Sequence, residues 1–226
     1  MENDQLARRA VLTGAIGVAA MAGLGTGVAV AQTPAAFQPL RHEQDDWLDQ
    51  APGKHRVIID ATSAIGAGEA MLFARNLFVG NRTPYGLPDA DVATVVCLRH
   101  DATRFGFGDA VWAKYGQAFG DYLKFTDPKT QKAPSINVYN TPGYGDDLSS
   151  LGVTIGDVAK RGVRFAICDG STRRVSQLLA RATKGTADDI YKELVADPIP
   201  SGRFVNFGVI AVTRAQERGY ALLSVG

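Results

Sequence analysis

A cysteine ends an apolar run at the point where the chain is predicted to turn from a strand into a helix. The stretch reads GVRFAICDGSTRR and covers residues 162–174. A thiol just before a helix N-terminus lies near the positive end of the helix dipole, and Arg173 and Arg174 follow in the first turn. This field favours the nucleophilic thiolate, although Asp169 opposes it. Because a cysteine at a strand end is also a common buried hydrophobe, the local residues leave Cys168 open as a nucleophile or a packing residue.

Polar residues follow the other predicted strands, and ligand chemistry in a parallel sheet collects at the carboxyl ends of its strands. These strand-end residues are Asp60, Thr62, Ser63, Arg99, His100, Asp101, Asn140, Thr141, Cys168 and Asp169. His100 is a candidate base or anion contact, with a hydrogen-bonded surface histidine as the alternative. Cys168 therefore belongs to a predicted row of polar residues at one edge of the sheet.

The second cysteine, Cys97, lies inside the continuous apolar run VATVVCL and is predicted to be buried packing. If the protein is exported from the cytoplasm, Cys97 and Cys168 meet oxidising conditions and can pair as a disulfide. Because Cys97 lies within one strand and Cys168 ends another, two free thiols are expected, and pairing stays open.

The remaining motifs exclude several kinds of chemistry. The three histidines, at positions 42, 55 and 100, have no metal-ligand spacing, and the chain has no Cys-x-x-Cys, G-x-S-x-G or Walker pattern. SAIGAGEAM, residues 63–71, matches only part of a dinucleotide fingerprint, and turn glycines explain it better. The formal net charge is +1, so no strong field attracts nucleic acid or an anionic membrane. We expect neither a cofactor nor a metal.

The N-terminal residues 1–31 resemble a twin-arginine export signal. Arg8 and Arg9 precede a weakly hydrophobic Ala/Gly/Val stretch, and Ala29-Val30-Ala31 is an A-x-A cleavage signature. An uncleaved membrane anchor is the alternative. The expectation is a periplasmic or other extracytoplasmic protein without stable membrane insertion after cleavage. Residues 32–54 have no sustained periodicity and are predicted to be a linker or a wrapping arm.

Strands and helices alternate through the rest of the chain. The predicted strands cover residues 56–60, 91–98, 136–139, 163–168 and 220–225. The predicted helices cover residues 67–79, 109–119 and 208–218, with three more capped by Thr154 (to 161), by Ser171 or Thr172 (to about 183) and by Thr186 (to 196). Central strands that are apolar without alternation favour a sheet covered on both faces. The fold class is therefore α/β, with a mostly parallel sheet of about five strands between helical layers.

Two stretches resemble the DsrE/DsrF-like family of small α/β sulfur-relay proteins. The family commonly reads G-V-x-F-x-x-C before a helix, as in KRGVRFAICDGSTRR. It closes with Pro-small-Gly, a helix carrying Gln, and Gly-Tyr before the last strand, and IPSGRFVNFGVIAVTRAQERGYALLSVG follows that order. The resemblance covers residues 55–226 and implies a three-layer α/β/α domain of that type. It also implies a persulfide on Cys168 and a homo-oligomer.

Two functions follow from these observations. The first is an exported sulfur carrier or sulfurtransferase-like relay that exchanges sulfur with a partner protein or a small sulfane-sulfur species. In that function Cys168 holds the persulfide, Arg173 stabilises the thiolate, and Arg99 and His100 steer an anionic sulfur species, with Asp169 as a further binding candidate. The second is a non-enzymatic binding or assembly module in which Cys168 is structural.

Overall fold

Five strands form one parallel sheet in the order β4-β3-β2-β1-β5. A computed structural model describes residues 38–226, and the predicted signal peptide lies outside them. The strands are β1 (His55–Ala61), β2 (Val92–Leu98), β3 (Arg164–Cys168), β4 (Gly202–Val205) and β5 (Ala221–Val225). All seven residues of β2 are buried, because both faces of this central strand are covered.

Six α-helices connect these strands within the described part of the chain, and the shortest has six residues. They are α1 (Ala64–Tyr85), α2 (Asp109–Leu123), α3 (Ile155–Lys160), α4 (Asp169–Ala182), α5 (Ala187–Ala196) and α6 (Gly208–Gln216). The predicted caps Thr154 and Thr186 are confirmed, since each side chain accepts a backbone N–H of the first turn. The predicted cap of α4 is wrong, because α4 begins at Asp169 and Cys168 itself is the N-cap residue.

The order of the strands decides which face each helix covers. β1 to β4 lie side by side in chain order, so the first three crossovers run in one direction, and a right-handed path puts their helices on one face. The crossover from β4 to β5 runs back across the sheet, and its helix α6 therefore covers the other face. The larger hydrophobic cluster lies on the side of α1–α5 and contains Trp112, Tyr139 and Phe105. The smaller cluster lies under α6.

The segment before β1 belongs to the same compact unit, Pro39–Gly226. A 3-10 helix, Glu43–Leu48, buries Trp47 and Leu48 in the smaller cluster. The Tyr220 hydroxyl donates to the Leu48 carbonyl (2.7 Å), and the Arg164 guanidinium donates to the Trp47 carbonyl (2.7 Å). Residues 43–48 therefore complete the helical layer on the α6 side.

The strand predicted over residues 136–139 is wrong. This segment is a loop followed by the 3-10 helix Val138–Asn140. Val138 and Tyr139 are apolar and buried, but side chains hold the segment: the Asn137 amide donates to the carbonyls of Phe105 and Phe107 (2.9 Å each). Asn140 and Thr141 therefore do not lie at a strand end. The fifth strand is β4, which the sequence prediction missed.

The predicted fold class is confirmed: an α/β protein with a five-stranded parallel sheet between helical layers. Among residues 38–226 we find no helix with the length and apolar character needed to cross a bilayer.

Candidate functional site

The Cys168 sulfur accepts hydrogen bonds from two backbone N–H groups. The Ser171 N–H, in the first turn of α4, lies 3.4 Å from Sγ, and the Gly208 N–H, at the start of α6, lies 3.2 Å from it. Both donors belong to helix N-termini, whose N–H groups have no partner within the helix. The positive ends of two helix dipoles therefore lie beside one sulfur atom.

This convergence follows from the topology of the sheet. Cys168 ends β3 and is paired in register with Val205, which ends β4. The helices that follow these two strands, α4 and α6, cover opposite faces, so the ends of β3 and β4 form a topological switch point of the sheet. Such a switch point is where ligands bind in open α/β sheets. The Gly170 N–H donates to the Asn206 carbonyl (3.1 Å), which joins the two loops beside Cys168.

Asp60 and Arg99 form an ion pair beside the two cysteines. Arg99 Nε and Nη2 donate to the two carboxylate oxygens of Asp60 at 2.7 and 2.8 Å. The Asp60 carboxylate raises the pKa of Arg99, and burial of the guanidinium opposes that shift. Arg99 therefore brings a fixed, largely compensated positive charge to the ends of β1 and β2.

His100 lies at the surface next to this pair. Its backbone has a left-handed φ of 56°, and its N–H donates to the Ser171 hydroxyl (3.1 Å). The imidazole Nδ1 lies 3.8 Å from the Asp101 carboxylate. The backbone of His100 therefore helps to position the first turn of α4, while its exposed ring is available to solvent.

Asp169 and Arg173 bond to each other and to Tyr191 of α5. Arg173 Nε donates to Asp169 Oδ2 (2.8 Å), and the Tyr191 hydroxyl donates to Asp169 Oδ1. The Arg173 guanidinium also lies over the Tyr191 ring, 4.2 Å from its centroid. The hydrogen bonds to the Cys168 sulfur come from backbone N–H groups, and the Arg173 side chain instead connects α4 to α5.

Cys97 is fully buried, as predicted, and lies on the other side of Gly208. Its thiol donates to the Gly208 carbonyl (3.6 Å). Burial raises the pKa of Cys97 far above its ordinary range, and the Asp60 carboxylate adds to the shift. Cys97 is therefore held as the neutral thiol.

The two cysteines are free, as predicted. Cys97 is paired in register with Ala166, and Cys168 lies two residues further along β3. With strands about 5 Å apart and a rise of about 3.3 Å per residue, the two Cα atoms are about 8 Å apart. A disulfide needs Cα atoms within about 7 Å, so the sheet has to deform before these thiols can pair.

Sequence reasoning missed the second half of the site. Gly208, Asn206 and Phe207 follow β4, which is short and partly exposed, so its pattern carries no clear strand signal. The Phe207 ring packs over Gly170, where a Cβ would lie 2.3 Å from it. The glycine at the start of α6 was the available signal, since a backbone amide needs close access to reach the sulfur.

No group of three or more His, Cys, Asp or Glu side chains within residues 38–226 is arranged to hold a metal ion. No protein-family model, curated protein or solved structure matches this chain. The resemblance to DsrE/DsrF-like proteins therefore stays a prediction, and the chemistry of the site has to be argued from its geometry.

Proposed function

We propose that the protein is a sulfur carrier or sulfurtransferase-like relay that holds a persulfide on Cys168. The observation that carries this proposal is the pair of N–H groups, from Ser171 and Gly208, that donate to Sγ at the switch point of the sheet. In the proposal these donors hold the sulfur in position for attack, and the thiolate is the form of cysteine that attacks sulfur.

The proposed step is an exchange at sulfur. The Cys168 thiolate attacks the terminal sulfane sulfur of a donor persulfide, R–S–SH. The sulfur–sulfur bond of the donor breaks, a new bond forms at Sγ, and the donor leaves as the thiolate R–S⁻, so charge and atoms balance. The reverse exchange, with an acceptor thiolate, discharges the protein.

The surrounding residues serve this exchange in different ways. The Asp60–Arg99 pair brings a fixed guanidinium to the strand ends, and His100 and the Asp169–Arg173 pair border the first turn of α4. In the proposal, Arg99 and His100 attract an anionic sulfur species, and Asp169 and Arg173 hold α4 in place. The donor and acceptor are sulfur-carrying proteins or small sulfane-sulfur species.

The proposal includes the cellular setting that the sequence predicts. Residues 1–31 direct export by the twin-arginine route, the mature chain acts outside the cytoplasm, and it assembles as a homo-oligomer. Light scattering of the exported protein tests the oligomer.

The deciding experiment is intact-mass measurement after incubation with polysulfide. We expect a gain of one sulfur atom, removed by dithiothreitol, in the wild type and in Cys97→Ser, and no gain in Cys168→Ser. Iodoacetamide, a small reagent, should modify Cys168 before Cys97, because Cys168 lies at the strand end beside two N–H donors whereas burial holds Cys97 as the neutral thiol.

The alternative is a non-enzymatic binding or assembly module. The low exposure of Cys168, 5%, favours it, because a packing cysteine needs no access. If folded protein neither gains sulfur nor reacts with iodoacetamide at Cys168, the relay fails and the binding module replaces it.

A further inference from the structure

A cleft between α2 and α4 lies on the larger-cluster side of the sheet, on the face opposite α6. It encloses about 350 Å³, at the small end of the range of ligand pockets. Its walls are mostly apolar side chains of the two helices: Ala118, Phe119, Tyr122, Val175, Leu178 and Leu179. A smaller recess of about 50 Å³, lined by His100, Ser171 and Arg174 among others, adjoins it and shares Arg104.

The floor of this cleft holds a buried charge with too few partners. Arg104 is 3% exposed, and its one carboxylate contact within residues 38–226 is a single hydrogen bond from Nη1 to Asp101 (3.1 Å). The Nε atom of Arg104 is buried and has no hydrogen-bond partner in the described part of the chain. Burial also lowers the pKa of Arg104. A guanidinium has five N–H donors, and leaving them unpaired away from water is unfavourable.

We propose that this cleft binds a small amphiphilic carboxylate, with the carboxylate at Arg104 and the apolar chain between α2 and α4. The guanidinium fork matches a carboxylate with two parallel hydrogen bonds. Nε, which has no partner, is one of the donors of that fork. An inorganic anion alone would leave the apolar walls of the cleft without a contact, so the ligand also needs an apolar part.

The charges around the cleft orient the ligand. Arg174 lies at the recess next to Arg104 and forms no ion pair with any residue from 38 to 226, so its charge adds to the attraction. Asp121 lines the wall, and its carboxylate accepts from the Gln117 amide (3.0 Å). The Asp121 carboxylate therefore repels the anionic head group of the ligand, which is directed to Arg104 and Arg174.

Tyr122 controls access to Arg104. Its ring lies over the guanidinium, 4.1 Å from centroid to Cζ, and 46% of the residue is exposed. Exposed side chains change rotamer within nanoseconds. Rotation of Tyr122 away from Arg104 opens the buried donors to the cleft without a change in the backbone.

The test is calorimetric titration of the full chain with octanoate and with 1-octanol, which has the same apolar chain but no charge. We expect octanoate to bind saturably, one per chain, and octanol to bind at least about tenfold more weakly. Arg104→Met, which replaces a buried cation with an apolar side chain of similar length, should remove the preference for octanoate.

Two further variants separate the site from a change in folding. Ala118→Phe fills the cleft, leaves Arg104 intact and should abolish binding of both probes. Arg181→Ala removes an exposed arginine of α4 that does not line the cleft, and it should bind octanoate as the wild type does. Far-UV circular dichroism confirms that each variant is folded.

Three results overturn the proposal. One is the absence of saturable octanoate binding to the wild type, and another is equal affinity for octanol. The third is light scattering in which Ala118→Phe turns an oligomer into a monomer, since a second copy of the chain then covers the cleft.

Discussion

Gly208 links the two thiols of the site through a single residue. Its N–H donates to Cys168, and its carbonyl accepts from Cys97. A Cβ at this position would lie 2.7 Å from Cβ of Arg99 and 3.1 Å from Sγ of Cys97. The chemistry proposed for Cys168 therefore depends on how closely the start of α6 approaches β2 and β3.

Gly208→Ala should slow the reaction of Cys168 with iodoacetamide and destabilise the protein by about 1–3 kcal/mol, because the added methyl pushes the N–H group away from the sulfur. Urea unfolding and timed alkylation measure the two effects. The matched control is Gly80→Ala in α1, where a Cβ meets nothing within 4 Å. That change should stabilise the helix by about 0.5–1 kcal/mol and leave alkylation unchanged. Equal behaviour of the two variants would contradict the role of Gly208.

At the residue scale the sequence singled out only part of the candidate site. An apolar run that ends in a cysteine identified Cys168 and separated it from Cys97. Two features of the site were not predicted. One is the ion pair of Arg99 with Asp60, and the other is the hydrogen bond from the Gly208 N–H to Cys168. Each joins residues that are far apart in the chain. Such contacts follow from strand order, which local patterns do not contain.

The 3-10 helix Glu43–Leu48 shows how an element without a periodic pattern can be part of the core. Trp47 is 5% exposed, and the Arg203 guanidinium lies over its ring. Apart from Leu48, the residues next to Trp47 are charged or polar, so the segment gives no amphipathic signal. Two buried side chains and two backbone carbonyls fix it to the sheet and to α6.

Trp47→Ala should lower the free energy of unfolding by about 3–5 kcal/mol, because it leaves a cavity in the smaller hydrophobic cluster. Urea denaturation measures the loss. Leu40→Ala is the control, since Leu40 is 74% exposed in the same segment and should change stability by less than about 0.5 kcal/mol. A loss below about 1 kcal/mol for Trp47→Ala would show that the segment does not stabilise the domain.

Residues 136–139 and β4 show the limit of strand prediction in this chain. The first segment is mostly apolar but is held by the Asn137 and Tyr139 side chains, and the second is four residues long, partly exposed and at the edge of the sheet. An apolar run indicates burial and does not report hydrogen bonding to a neighbouring strand, and a partly exposed edge strand has no such run. The predicted number of strands is therefore correct, but the strand predicted over residues 136–139 is wrong and β4 takes its place.

Asp89 connects three elements through arginines. It lies just before β2, accepts two hydrogen bonds from Arg161 after α3 (2.8 and 3.2 Å) and one from Arg82 of α1 (2.6 Å). The hydrogen bonds from Arg161 lower the pKa of Asp89 most, and burial opposes them. The folded protein therefore favours the ionised carboxylate.

Asp89→Asn should destabilise the protein by about 1 kcal/mol at neutral pH. Because the folded pKa is lowered, this stabilisation is present above the unfolded value of about 3.9 and is lost as the pH falls through the folded value. Urea unfolding of both proteins from pH 7 to about pH 2 should show the difference shrinking to zero. Asp146→Asn, at an exposed site, serves as the control. A difference that is constant with pH would exclude the ion pair as its cause.

At the scale of the whole molecule, the predicted signal and the described domain are separate parts of the chain. The domain, Pro39–Gly226, is one compact unit, and its sheet joins residues from both ends of that unit. A transport route that carries folded proteins suits a domain of this kind.

Replacing Arg8 and Arg9 with lysine should block export, because the translocation machinery reads the arginine pair. Cell fractionation measures the block, and the intact mass of the exported wild type should show a chain that starts at Gln32. Replacing Arg41, which lies after the predicted cleavage site, with lysine should leave export unchanged. A full-length form in the membrane would instead favour the anchor.

The pairing of β5 with β1 has a consequence for synthesis of the protein. Among the five described strands, β1 is synthesised first and β5 last, yet they are neighbours in the sheet. Until Val225 has been made, one edge of β1 has no partner, and its apolar residues are exposed to aggregation. The sheet is therefore completed only after β5 has been synthesised, and until then the free edge of β1 can pair with a strand of another chain.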